Sequence, residues 1–149
     1  MNSNTQPNLD RLAAQHAQAI IRRLVDEDKN GNKRTDGKEI EKAAGSADNT
    51  VTKAVGVLQE NGVYACFLYL LAREKENGGV VVEEMLNLLD GLGFGWGRPT
   101  KNGQIDTTAE AVLPHISDKV TVDLERLLLA KETLEQMLIY ARYGAKARS

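Results

Sequence analysis

Thiols are almost absent from this chain. A single cysteine in 149 residues excludes an internal disulfide and a thiolate metal cluster, and it fits a reducing compartment. Aromatic side chains are scarce at 5%, a supply that suits helices packed through Leu, Ala and Val better than a β-sandwich. An excess of one charge sign is missing too. Nineteen Lys and Arg against 21 Asp and Glu leave a net charge of −2, so any nucleic-acid surface has to be a local patch, not a global basic field. Long apolar runs are lacking: the longest, Val63 to Ala72, is about half of a ~20-residue membrane span. Met1 to Asn8 is polar, with neither the basic start nor the apolar centre of a signal peptide. These absences lead to the expectation of a soluble, cytoplasmic chain without a membrane, one domain over residues 1–149 with a single core.

What is present is apolar residues at helical spacing. Leu9, Leu12, Ala13, His16, Ala17, Ile20 and Leu24 recur every three or four residues, which predicts a helix over 8–25 with one buried face. Pro7 stands where a first-turn proline is tolerated. Residues 26–49 are polar, charged and punctuated by glycine, so they read as a long surface loop, with one or two helical turns at 38–44. A helix over 50–60 is then stopped by Asn61-Gly62, which tolerate the left-handed conformation of a helix C-cap. Val63 opens an apolar, centrally buried helix that Asn77-Gly78-Gly79 end; another follows from Val80 to Gly91.

Residues 91–106 form a second long loop, glycine-rich, with Phe94 and Trp96 placed to pin it to the bundle. Thr107-x-x-Glu110 matches a capping box, predicting a short helix broken at Pro114. A final helix over 121–146 presents Leu124, Leu127, Leu128, Leu134, Leu138 and Ala141 to the core. The fold class is all-α, a single-domain bundle of five or six helices with two long loops.

Chemistry-bearing constellations are few. Asp26-x-Asp28-x-Asn30-Gly31 matches the start of a calcium loop, but the bidentate acid expected at the twelfth position is Gly37. Moving the register to Asp28, Asn30, Asn32, Asp36 and Glu39 puts Lys33 where glycine belongs, and Lys29, Lys33, Arg34 and Lys38 oppose a divalent ion. A calcium-binding helical protein using residues 26–39 is therefore the alternative reading, and a solvated loop the preferred one. The Gly91–Arg98 stretch lacks both the G-x-G-x-x-G and the P-loop patterns. His16 and His115 stand apart on different elements and Cys66 sits in apolar surroundings, so all three read as structural. No nucleophile or acid–base set suggests an enzyme, and no cofactor or metal site is expected.

Clustered cations remain. Arg22 and Arg23 lie on the polar side of the first helix, Lys53 begins the second, and Arg73 and Lys75 end the third. Leu138 to Ser149 contains no acid, while Arg142 and Lys146, four apart, share a helix face.

Two segments carry a family resemblance. The first runs from Lys53 through Asn61-Gly62 to Phe67, Tyr69, Leu70, Leu71 and Arg73: a basic residue, an apolar helix, Asn-Gly, then a Leu/Phe-rich helix closed by a cation. The second holds Lys131, Glu132, Leu134, Arg142 and Tyr143. Together with the N-terminal amphipathic helix they resemble the small helical subunit of the type III-B CRISPR RNA-guided effector, the Cmr complex. Departures are Ala65 where Gln is common, Ile139 for Trp, and Ala141 for one of two consecutive cations.

The resemblance implies a non-catalytic structural subunit of an antiviral ribonucleoprotein. Several copies would stack beside other Cmr subunits and line the path of the guide and target RNA, with RNA cleavage carried out elsewhere. It further implies phosphate contacts at Lys53, Arg73, Arg142 and Lys146, with Arg22 and Arg23 as additional candidates. A small subunit of a neighbouring CRISPR type is a related alternative.

Overall fold

The computed structural model describes residues 8–149; Pro7 lies outside them. The all-α expectation holds: the described residues are 74% helical and form six α-helices and one two-stranded hairpin. Helix α1 spans Leu9–Ile21, and its last turn widens into a π-helical turn at Arg22–Asp26. Asn8 starts α1 by accepting a hydrogen bond from the Arg11 N–H at 3.0 Å, which satisfies one of the free donors of the first turn. Ala13, Ala17, Ile20 and Ile21 form its buried stripe.

The long surface loop expected over 26–49 is a correction. Only 27–36 is non-helical, a tight turn in which the Asp28 carboxylate accepts from the N–H groups of Asn30 and Asn32. From Gly37 the chain is helical through Asn61, forming the 25-residue α2. Asp36 provides the start signal by accepting from Lys38 N–H at 2.9 Å. Ala44, Ala47, Val51, Ala54 and Leu58 then supply a buried stripe. Three alanines contribute little apolar area, so charged neighbours mask this stripe in the sequence; their smallness is what admits another helix closely.

Gly62 closes α2 as expected, with φ +97° and its N–H donated to the Leu58 carbonyl at 3.0 Å. Helix α3, Val63–Arg73, folds back along α2 and buries Val63, Cys66, Phe67 and Leu70. It is not the central helix its apolar run predicts: Tyr64 is 40% and Leu68 45% exposed, because only one of its faces is covered. Asn77-Gly78-Gly79 do not terminate a helix. Glu74 is the joint instead, and Lys75–Gly91 is the continuous α4. A Cβ on Gly78 would lie 2.6 Å from the Leu70 carbonyl oxygen, so glycine here lets α4 cross the end of α3 in near contact.

After α4 the 91–106 segment is a loop, as expected, but it contains a small antiparallel hairpin. Strands β1, Thr100–Lys101, and β2, Gln104–Ile105, pair with Thr100 opposite Ile105. Asn102 and Gly103 both have positive φ, the requirement of a type I′ turn. Trp96 is buried and meets Phe94 edge to face at 5.0 Å, so these aromatics do anchor the loop.

Helix α5, Ala109–His115, begins at Thr108; the expected Thr107–Glu110 capping box is not formed, and Asp106 instead accepts from the Thr108 N–H. Pro114 sits in the last turn of α5 without ending it, and a π-helical turn continues over Ile116–Val120.

Helix α6, Leu124–Lys146, is capped by Asp123 and lies at the centre. It runs parallel to α1, joined by Tyr140 to Asp10 and Arg148 to Asp26. It runs antiparallel to α2, joined by Gln59 to Glu135 and Lys146 to Asp48. Leu134, Leu138 and Ala141 are buried as expected, whereas Leu124 is 67% and Leu128 53% exposed. By those pairings the first turns of α6 reach past the start of α1 and the end of α2, so Leu124 and Leu128 have no helix to pack on. Among the described residues no helix is long and apolar enough to cross a membrane.

Candidate nucleic-acid interface

Six cations were singled out by the sequence, and the fold distributes them. Arg142 and Lys146, one turn apart near the end of α6, reach across to one acid on α2. Arg142 Nε lies 4.0 Å and Lys146 Nζ 3.4 Å from the Asp48 carboxylate. Both cations are about half exposed, and one carboxylate cannot neutralise two positive charges. They also stand at a helix C-terminus, where the negative end of the helix dipole favours them. Beyond them Arg148 holds Asp26 with a two-pronged guanidinium contact at 3.0 and 3.1 Å. That hydrogen bond pushes the guanidinium pKa up, so Arg148 is engaged within the fold.

Lys53 is exposed on α2 but does not share this cluster by geometry: five residues past Asp48, it points about 140° further round the helix. Arg73 is exposed at the end of α3. Its neighbour Glu74 accepts from the Thr50 hydroxyl of α2 at 2.7 Å and from the Tyr69 hydroxyl at 3.1 Å. Thr50 is one turn before Lys53, so Lys53 and Arg73 flank the same polar seam between α2 and α3.

Arg22 is exposed, 3.5 Å from Glu27. Arg23 turns inward to lie 2.9 Å from Glu83 and 2.9 Å from Glu84. Two acids hold it between α1 and α4, which makes it the least available of the six.

The Glu84 cluster was missed by sequence reading. Its carboxylate is 8% exposed and is met by His16 Nδ1 at 2.9 Å, Arg23 at 2.9 Å and the Asn87 amide at 3.4 Å. Burial alone would raise the Glu84 pKa; the bonds from His16, Asn87 and Arg23 outweigh it and hold the carboxyl below its ordinary range. Arg98 extends the chain of contacts by donating to Asn87 at 2.6 Å. A signal for this was present: Glu84 occupies the apolar register of Val81, Leu88 and their neighbours, where an acid needs partners.

The remaining candidates are built into the fold. The Cys66 thiol donates toward the Ala54 carbonyl at 3.5 Å, and burial pushes its pKa up to about 12, far from a reactive thiolate. His115 is buried; desolvation and then Lys119 lower its pKa, against the opposing effect of the Gly97 backbone. Both effects favour the neutral ring, the form for which a buried Nε2 with no partner among the described residues costs less. In the calcium-like segment, Asp28 serves its own backbone, Asp26 holds Arg148 and Lys29 pairs with Glu76 at 3.3 Å. Among the described residues no group of three or more His, Cys, Asp or Glu is placed to hold a metal ion.

A cleft of about 510 Å³ separates this segment from the start of α4. Arg23, Lys29 and Arg34 line it, opposed by Glu27, Asp28 and Glu76, so it has no field of one sign. At the α2–α6 seam, by contrast, two half-exposed cations share the single charge of Asp48, which leaves a net positive patch. No protein-family model, curated protein or solved structure matches this chain.

Proposed function

We propose that this chain is a non-catalytic small structural subunit of a type III-B CRISPR effector, the Cmr ribonucleoprotein. In it the end of α6 touches the sugar–phosphate backbone of guide or target RNA. The resemblance of the 53–73 and 131–147 segments supports the family. The observation that carries the RNA role is the Arg142–Asp48–Lys146 arrangement, two half-exposed cations sharing one carboxylate 4.0 and 3.4 Å away. Phosphates bind such a site through charge alone, without reading bases. Lys53 and Arg73, both exposed, stand apart from this cluster beside the α2–α3 seam as a second candidate contact, and Arg22, 3.5 Å from Glu27, is a further one. Arg23 is withdrawn from the contact set because Glu83 and Glu84 already hold it. Other Cmr subunits and further copies of the chain are the protein partners in this reading.

Filter binding of single-stranded RNA at several salt concentrations tests it. Affinity should be weak and fall steeply with salt. Reversing both charges, Arg142→Glu with Lys146→Glu, should remove most binding and flatten the log–log salt slope by about 1.4, the share of two phosphate contacts on a single strand. Affinity unchanged by the double reversal would take the end of α6 out of the interface.

A further inference from the structure

Helix α6 packs on α1 and α2 with one side and leaves the other open. Glu125, Leu128, Glu132, Ile139, Tyr143 and Lys146 follow one another at intervals of three, four, seven, four and three residues, which keeps them on one outward stripe. Leu128 is 53% and Tyr143 63% exposed, large apolar groups about 22 Å apart along the helix. The stripe is electrically polar: its acids, Glu125 and Glu132, belong to the first half and its cation, Lys146, to the second, with Arg142 beside it, while Glu135 near the midpoint accepts from Gln59 of the same chain. Its residue numbers are also symmetric, because 125 with 146, 128 with 143, and 132 with 139 share one midpoint.

We infer that this stripe docks a second copy of the chain, α6 against α6 in antiparallel fashion, about a two-fold axis beside Glu135 and Gln136. Leu128 then packs on Tyr143 of the second copy, and Glu125 meets Lys146 of the second copy. Glu132 lies beside Ile139 and within one turn of Arg142 of the second copy. Each contact occurs twice, as a two-fold axis requires. A parallel pairing would set Glu125 against Glu125 and Lys146 against Lys146, so charge selects the antiparallel arrangement. Asp48 lies within 4.0 Å of both cations, but its single charge offsets only one of theirs, which leaves the pair net positive toward a partner's acid. A single helix face is a small interface, so the dimer is weak and concentration-dependent. The pairing draws on the same two cations as the RNA role proposed above, so RNA and the second copy compete for this end of α6, and the dimer is measured without RNA.

Sedimentation equilibrium of the full chain over a broad concentration range is the test, with thermal melts confirming that each variant folds. The expected result is a monomer–dimer equilibrium. Leu128→Glu should weaken it by at least about tenfold, the loss of one well-packed apolar anchor. Glu125→Lys alone should also weaken it, and Glu125→Lys combined with Lys146→Glu should restore it, because the swapped charges again attract. A chain that stays monomeric throughout, a series of oligomers beyond two, or a swap that fails to restore association while both variants melt like the parent would overturn the inference.

Discussion

Two carboxylates on two seams gather cations, and they differ in what solvent does to them. Glu84, between α1 and α4, is 8% exposed and receives His16, Arg23 and Asn87. Asp48, between α2 and α6, is 28% exposed and is shared by two half-exposed cations at 3.4 and 4.0 Å. In the first cluster the partners replace water that the acid has lost, so removing any one strands a buried charge. In the second, water still solvates every member and an incoming anion can compete. The same chemistry makes a structural clamp in one place and an exchangeable surface in the other. Depth is the variable.

The sharpest test of that contrast is Glu84→Ala. Loss of the acid leaves Arg23 and His16 in a seam with only Glu83 to answer them, and the expected destabilisation is about 3 kcal/mol, read from the denaturant midpoint. The pH dependence has a definite sign. The Glu84 pKa is lowered on folding from an ordinary 4.5, so its contribution is fully present above that value and is lost as pH falls through the folded one. Parent stability should therefore drop in this acidic window by more than that of Glu84→Ala; parallel curves would show the clamp to be absent in solution.

A smaller effect is expected from Gly78→Ala, which acts on the helix that carries Glu84. Its new methyl would press on the Leu70 carbonyl at the α3–α4 joint, where the ideal position is only 2.6 Å away, costing about 1–3 kcal/mol. At Gly79, by comparison, an added methyl meets nothing within 4 Å, so Gly79→Ala should be neutral or stabilising by up to about 1 kcal/mol. Calorimetric melts of the two alanine variants distinguish these outcomes. Smallest of all in stability is Asp48→Ala, expected within about 1 kcal/mol of the parent. It should nevertheless raise RNA affinity in the filter assay by releasing Arg142 and Lys146. A loss of stability as large as that of Glu84→Ala would erase the distinction between the clusters.

Four Asn-Gly pairs show how far local sequence reaches. Asn30-Gly31 lies in the tight turn held by Asp28, and Asn61-Gly62 caps α2. Asn102-Gly103 turns a hairpin, while Asn77-Gly78 lies inside a helix. The dipeptide lowers the barrier to a left-handed residue, but α3 crossing α4 imposed helix on Asn77-Gly78. The first half of α2 was hidden for a related reason: Ala44 and Ala47 are weak apolar signals until α6 is seen to need a close approach. Among the cations, Arg142 and Lys146 were legible as neighbours because four residues make one turn. Arg23 looked equivalent to Arg22 until α4 brought in two acids from some sixty positions away.

Composition and periodicity alone determined the all-α class, the cap at Gly62 and the acid-free end of the last helix. Each of these depends on residues within a turn or two of one another. Only the tertiary structure decided which charges face each other across seams, that Asp48 joins the tip of α6, and that Leu124 and Leu128 stand uncovered. Those outcomes depend on where separate helices end relative to one another, and no local spacing encodes that.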